Sequence, residues 1–235
     1  MLVKLSAPLL KAYSSYCDIR SFKPFYRKTL DCIHSDLPNF LEKKIYFSTF
    51  DEFISIINFI FSKNTKKINI SFNNKENEYL NNIIHKYNIE RSKFYSLYLC
   101  SLFFTTGKYS VDITDFLSNL LSDILYYQYE ATVTKHVYKM YLDFHKKNIN
   151  FSITNLIRAA HFYYRHVAPN DLVIIESNHL SIKNNSTKGK KITVRGNFAL
   201  KNYIFNLKEN TGKSINCIVN NMAYQFLSIA GSNIA

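Results

Sequence analysis

Glycine and proline are scarce, 5 and 4 among 235 residues, which excludes collagen-like, linker-rich and many-turned β architectures. Cysteine is as sparse. Cys17, Cys32, Cys100 and Cys217 lie far apart with no C-x-x-C. Zinc sites draw their ligands in closely spaced pairs, so all four are expected as small buried hydrophobes in a reducing compartment. Long apolar runs are missing too: Phe53–Phe61 and Phe94–Phe104 are half the length that a bilayer requires. Lys4, Pro8 and Lys11 interrupt the start of the chain before a signal-peptide core can form. The expectation is a soluble, cytoplasmic protein with no membrane partner. No glycine-rich phosphate loop, G-x-S-x-G or H-E-x-x-H occurs, and no feature supports an enzyme.

Acid is the remaining deficit: 17 Asp and Glu stand against 30 Lys and Arg, a net charge of +13. An AT-rich gene inflates Lys, Asn, Ile, Tyr and Phe together, but it does not remove acids. The imbalance implies a polyanionic partner. With 47% hydrophobic and 20% charged residues, the chain can bury a core and is no disordered polymer. The charge is also uneven. From Ser181 onward there are eight basic residues and one acid, Glu209, so that this stretch carries +7 of the total. Within it Lys188-Gly-Lys190-Lys191 succeeds the polar Asn184-Asn-Ser-Thr187, which reads as a basic arm.

The stretch beyond the arm is patterned. Lys191-Ile-Thr-Val-Arg195 alternates, with Ile192 and Val194 on one face and Lys191, Thr193 and Arg195 on the other. Gly196 breaks the strand and Asn197 can cap the next element. Leu200, Tyr203, Ile204 and Leu207 recur at helical spacing until Thr211-Gly212. Ser214 can cap a second helix carrying Ile218, Val219, Met222 and Phe226 as one apolar stripe. One short strand and two helices cannot bury that much apolar surface alone, so the unit needs a partner, most simply a second copy pairing strand to strand.

Lys191–Leu227 resembles a ribbon-helix-helix DNA-binding domain, the fold of the Arc and methionine-repressor families. The likeness rests on the order strand, helix, Thr211-Gly212-Lys213-Ser214 turn and apolar helix. Gly196-Asn197 departs from the family, which often has an apolar residue and Pro there. Met222 departs as well, where a small residue is common. The resemblance implies that a two-stranded ribbon enters the major groove of DNA. Lys191, Thr193 and Arg195 would then read bases. The amides after Ser214, with Lys213, would hold a phosphate, and Lys188 and Lys190 would anchor the arm on the backbone.

Weaker versions of the pattern recur. Lys67-Ile-Asn-Ile-Ser-Phe72 alternates, and helical periodicity leads to Asn88-Ile-Glu-Arg-Ser92 and an apolar helix ending near Phe104. Ala131-Thr-Val-Thr134 opens a third pass, turning at Asn148–Ser152. Val3-Lys-Leu-Ser6 opens a fourth, turning at Asp18–Ser21. Aligning Ser21, Ser92, Ser152 and Ser214 places apolar residues five and twelve positions further on. The copies are therefore expected at residues 1–34, 66–104, 130–166 and 190–228. Helical linkers fill 35–65 and 105–129, and a linker with the basic arm fills 167–189. The fold expected is mainly α with short β-ribbons, the tandem units pairing as intramolecular pseudo-dimers, similar to the arrangement of TraY proteins of conjugative plasmids. The further ribbon-facing residues are Lys4, Ser6, Lys67, Asn69, Ser71, Thr132 and Thr134, with Ser92 at a turn, while Glu130 would repel phosphate.

The other chemistry-bearing residues read as structural. His161 and His166 stand five apart on a predicted helix and do not converge; His136 and His145 lack acidic partners at ligand spacing. No metal or cofactor is expected. Most aromatics fall at core spacing, which favours packing over base stacking. Leu172-Val-Ile-Ile175 reads as a short buried strand or linker contact. The resulting expectation is a sequence-specific double-stranded DNA-binding transcriptional regulator, a repressor, acting as a dimer or as a monomer with internal pairing. Two alternatives remain: a plasmid relaxosome or partition accessory factor, and a helical protein-interaction module whose basic tail binds nucleic acid nonspecifically.

Overall fold

The computed structural model describes residues 2–19, 37–62, 65–70, 73–122, 127–147, 152–177, 180 and 189–232. The chain divides into two compact units, Met1–Asp123 and Ile124–Ala235. Both are mainly helical, with short two-stranded antiparallel sheets.

In the first unit, β1 (Leu2–Ser6) runs straight into α1 (Ala7–Ile19). The Ser6 hydroxyl accepts from the Leu9 amide at 3.2 Å, satisfying one orphan donor of that helix. A 3-10 turn (Leu37–Glu42) precedes β2 (Lys44–Phe47) and α2 (Phe50–Phe61). Next come β3 (Thr65–Asn69), α3 (Asn74–Tyr87), α4 (Arg91–Phe103) and β4 (Tyr109–Asp112), with an irregular helical stretch over 113–121. An Asn73–Glu76 capping box starts α3, and Asn88, in the left-handed region at φ 46°, ends it.

Strand β1 pairs with β3, setting Val3 opposite Ile68 and Lys4 opposite Lys67. Strand β2 pairs with β4, setting Ile45 opposite Val111 and Phe47 opposite Tyr109. Helix α4 forms the centre: every side chain from Phe94 to Ser101 is buried. Phe40 meets Phe94 and Tyr98 edge-on at 5.1 and 5.0 Å, the arrangement that aromatic quadrupoles favour. Gly107 is required where it stands, because a Cβ there would lie 2.5 Å from the Phe47 backbone.

The β2–β4 sheet corrects the expectation of helical linkers over 35–65 and 105–129. Each strand has only four residues, too short for alternation to stand out beside the strong helical periodicity of α2.

The second unit runs β5 (Tyr127–Val133), α5 (Lys135–Lys147), α6 (Ile153–His166), β6 (Lys190–Gly196), α7 (Phe198–Thr211) and α8 (Ile215–Ser232). The local signals around β6 act as the sequence indicates. Asn197 accepts from the Leu200 amide at 3.0 Å, and Gly212 ends α7 at φ 66°. Ser214 accepts from the Cys217 amide at 3.2 Å. Ile218, Val219, Met222 and Phe226 are all fully buried. At Gly196 a Cβ would lie 2.5 Å from Leu200 Cδ2, so a side chain there requires Leu200 to shift.

Strand β5 pairs antiparallel with β6 along seven residues, Tyr127 opposite Gly196 through Val133 opposite Lys190. It starts at Tyr127, three residues before the boundary expected from the sequence. The strands that pair off at the starts of these segments begin at Leu2, Thr65, Tyr127 and Lys190, successive steps of 63, 62 and 63 residues. Helices α4, α6 and α8 begin at Arg91, Ile153 and Ile215, both steps being 62. This spacing is more regular than the serine alignment. Ser152 and Ser214 do cap their helices, but the equivalent position before α4 is Glu90, and Ser92 lies inside that helix. Ser21 and the rest of 20–34 lie outside the described residues.

Between α6 and β6 the chain over 171–177 has no regular secondary structure and joins no strand among the described residues. Gln225 bonds both backbone groups of Val173, and Asn221 both of Ile175, so side chains of α8 replace a neighbouring strand. Of the two expectations for this segment, the buried strand is overturned, for Val173 is 58% and Ile175 43% exposed, while the bonds to Gln225 and Asn221 make it a linker contact.

Candidate nucleic-acid interface

The alternation of β6 sorts its side chains: Ile192 and Val194 are buried, while Lys191 and Arg195 are exposed and Thr193 is half-exposed. Strand β5 sorts in phase, with Ala131 and Val133 buried, Gln128 and Glu130 exposed and Thr132 between. The antiparallel register sets Gln128 opposite Arg195, Glu130 opposite Thr193 and Thr132 opposite Lys191. Directly opposed residues share a face of a sheet. The outer face of this ribbon therefore carries six polar side chains over its apolar underside. Lys190, at the ribbon end, sits 5.9 Å over the Tyr138 ring.

The backbone beneath is held by helix α8. The Asn216 Oδ1 accepts from the Thr132 amide at 2.9 Å. Fully buried Asn220 accepts from the Thr134 amide at 2.8 Å and donates to the Thr132 carbonyl at 2.9 Å. From the other segment, the Thr154 hydroxyl donates to the Thr193 carbonyl at 3.0 Å. The first unit repeats the contact, Ser92 Oγ accepting from the Lys4 amide at 3.2 Å. Ser92, Thr154 and Asn216 are each the second residue of a helix. Each reaches the strand contributed by the other segment of its pair.

In the first unit, Lys4, Lys67 and Asn69 are exposed on the β1–β3 ribbon, Lys4 directly across from Lys67. Ser6 points elsewhere, being buried as the cap of α1. Ser71 and Lys188 lie outside the described residues, as does most of the basic arm.

Three expected site residues have other tasks. Thr134 is 3% exposed, stands just past the end of β5, and accepts from the Val137 amide with its hydroxyl, so it is not on the ribbon face. Ser92 supports a strand. Lys213 is paired with Glu176 at 2.8 Å, and that hydrogen bond pushes its pKa up. The alternation Tyr127-Gln-Tyr-Glu-Ala-Thr-Val133 is the sequence signal for Gln128 and Glu130. A strand boundary placed at residue 130 leaves Gln128 out.

Beside the ribbon, Lys201 sits over the Tyr127 ring at 4.8 Å and within reach of Phe198 and Phe205. Phe198, which opens α7, is 57% exposed. The buried titratable groups are structural in setting. His161 is fully buried against Tyr203, ring centroids 5.0 Å apart, and neither ring nitrogen has a hydrogen-bond partner among the described residues. Burial, then Arg165, His166 and Arg158, push its pKa down to about 3. Among the described residues, no three His, Cys, Asp or Glu side chains converge as a metal site needs, and no helix is long and apolar enough to cross a membrane.

No family model, curated protein or solved structure matches this chain.

Proposed function

We propose that this protein is a sequence-specific double-stranded DNA-binding protein of ribbon-helix-helix type, acting as a transcriptional repressor that occludes a promoter. In this reading each unit is an internally paired pseudo-dimer, β1 with β3 and β5 with β6, with its ribbon in the major groove. The observation that carries the proposal is the outer face of the β5–β6 ribbon. Arg195 and Lys191 project from one seven-residue strand, beside Thr193 and opposite Gln128 and Thr132, over a buried apolar underside. A two-stranded ribbon fits the major groove, and these are the side chains that bond base edges there.

The 62- to 63-residue recurrence of strand starts supports the tandem reading, as does the exchange of helix-to-strand bonds within each pair. The opposed Lys4 and Lys67 support a polyanionic partner, because like charges facing each other across strands are destabilising until an anion lies between them. Base readout falls to the second unit, whose ribbon holds the bidentate donor.

The test is fluorescence anisotropy of the full chain with duplexes from the gene's own upstream region, against a scrambled control, across a salt series. A fragment bound about 10³-fold over the scramble at physiological salt is the expected outcome. Equal binding of all duplexes, collapsing with salt, would reduce the interaction to counterion release and remove the proposal.

A further inference from the structure

The β5–β6 ribbon is chemically divided along its length. Strand β6 presents Lys191, Thr193 and Arg195, two of them obligate hydrogen-bond donors. Strand β5 presents Gln128, Glu130 and Thr132, with a carboxylate that only accepts when ionised. Glu130 faces Thr193, which is the fourth of seven pairs, so the carboxylate stands at the centre of the outer face. Arg195 and Lys191 lie on its two diagonals, about 7–8 Å away in such a ribbon. Among the described residues Glu130 forms no ion pair, and it is exposed. A surface built only to hold phosphate would not place a negative charge there, since it repels every duplex equally.

We infer that Glu130 reads a cytosine, accepting from its N4 amino group in the major groove, so that the second unit binds a non-palindromic site with its guanine contacts confined to the β6 side. This rests on the reading of the ribbon as a DNA-binding element. Each base pair shows a distinct pattern in the major groove, and the cytosine amino group is the donor that a carboxylate matches. Arg195 and Lys191 match guanine O6 and N7, and Gln128 matches adenine N6 and N7. The central carboxylate thus acts by difference. It lowers affinity for all duplexes and recovers it only where an amino group lies beneath it, which is how a repulsive element produces specificity. Because the two strands carry different sets, exchanging the half-sites does not restore the contacts.

The experiment is selection from a randomised duplex pool by the full-length protein and by its Glu130→Gln and Glu130→Ala variants, then anisotropy on the enriched sequences. Wild type should enrich an asymmetric site containing one invariant C·G pair that tolerates no substitution without a loss of about 5- to 150-fold. Glu130→Gln should move that one position to A·T and leave the other positions alone. Glu130→Ala should lose preference there while binding the pool as a whole more tightly. If both variants tighten binding but return the wild-type site unchanged, Glu130 is a repelling charge only and the inference is overturned. If wild type enriches a palindrome, the division of labour between the strands is wrong. If wild type enriches nothing, the DNA-binding reading itself fails, an outcome distinct from the other two.

Discussion

In the proposed reading, Arg195 is the residue on which readout depends most. Its guanidinium presents a rigid donor fork, always charged, on the exposed side of β6 two residues from Thr193. Replacing Thr193 and Arg195 together with Ala should cost about 1–3 kcal/mol of discrimination per lost bidentate contact. Preference at the positions facing Thr193 and Arg195 should vanish while the C·G position under Glu130 and weak binding to any duplex persist, and titration against the enriched duplex, its single-position variants and the scrambled duplex measures these. A merely electrostatic tail would instead lose affinity uniformly. His161 sets a second residue-scale effect. Its folded pKa, near 3, lies below the unfolded value near 6.5, so below pH 6.5 the unfolded chain binds the extra proton. The stability it leaves intact above pH 6.5 is therefore lost as pH falls from 6.5 towards 3, at about 1.4 kcal/mol per unit. Urea unfolding at pH 6.5 and 5.0 should show this slope in wild type, and His161→Phe should flatten it. An unchanged slope would place the acid sensitivity elsewhere.

At the scale of elements, α8 organises the second unit through amide side chains. Asn216 and Asn220 hold β5, while Asn221 and Gln225 hold the stretch around Val173 and Ile175. Asn220→Ala leaves the buried Thr134 amide and the part-buried Thr132 carbonyl without that partner, at about 1–3 kcal/mol for the amide and less for the carbonyl. The denaturation midpoint should drop accordingly, and protection of the β5 amides from hydrogen exchange should fall more than that of α6. Equal loss across the unit would mean that Asn220 only fills space. None of these amide contacts is legible in the sequence, because Asn is abundant in this chain and a helix interior is a poor place to expect it. By contrast, β6, α7 and α8 can be read residue by residue. Alternation at Ile192 and Val194, the Asn197 cap, the Gly212 stop and the Ser214 cap are short-range signals, each set within a few residues. Long-range pairing has no such signal, so the β2–β4 sheet, whose strands lie some sixty residues apart in sequence, leaves no local trace. The ribbon face is legible on the β6 side and half-legible on β5, where the expected strand boundary falls inside the Tyr-Gln-Tyr-Glu alternation.

The whole molecule carries a net +13, but the β1–β3 and β5–β6 ribbons hold charge differently. The β1–β3 face offers Lys4, Lys67 and Asn69, point charges and one amide, and no arginine. The β5–β6 face offers the donor fork and the central carboxylate. If both ribbons lie on DNA, the first supplies sequence-independent affinity and the second supplies selection. Each lysine that neutralises a phosphate lowers the slope of log affinity against log salt by about 0.9 for duplex DNA. Lys4→Ala with Lys67→Ala should therefore flatten that slope by about 1.8, weaken binding to enriched and scrambled duplexes alike, and leave the selected sequence unchanged. Removing two cations that face each other across strands should also leave the free protein as stable as before, or slightly more so. Measured side by side, the lysine pair and the Thr193–Arg195 pair separate the two contributions: one should change the salt slope without changing the preferred site, the other the reverse. Should the lysine variant keep the wild-type slope, the first ribbon does not touch phosphate, and readout and affinity both belong to the second unit.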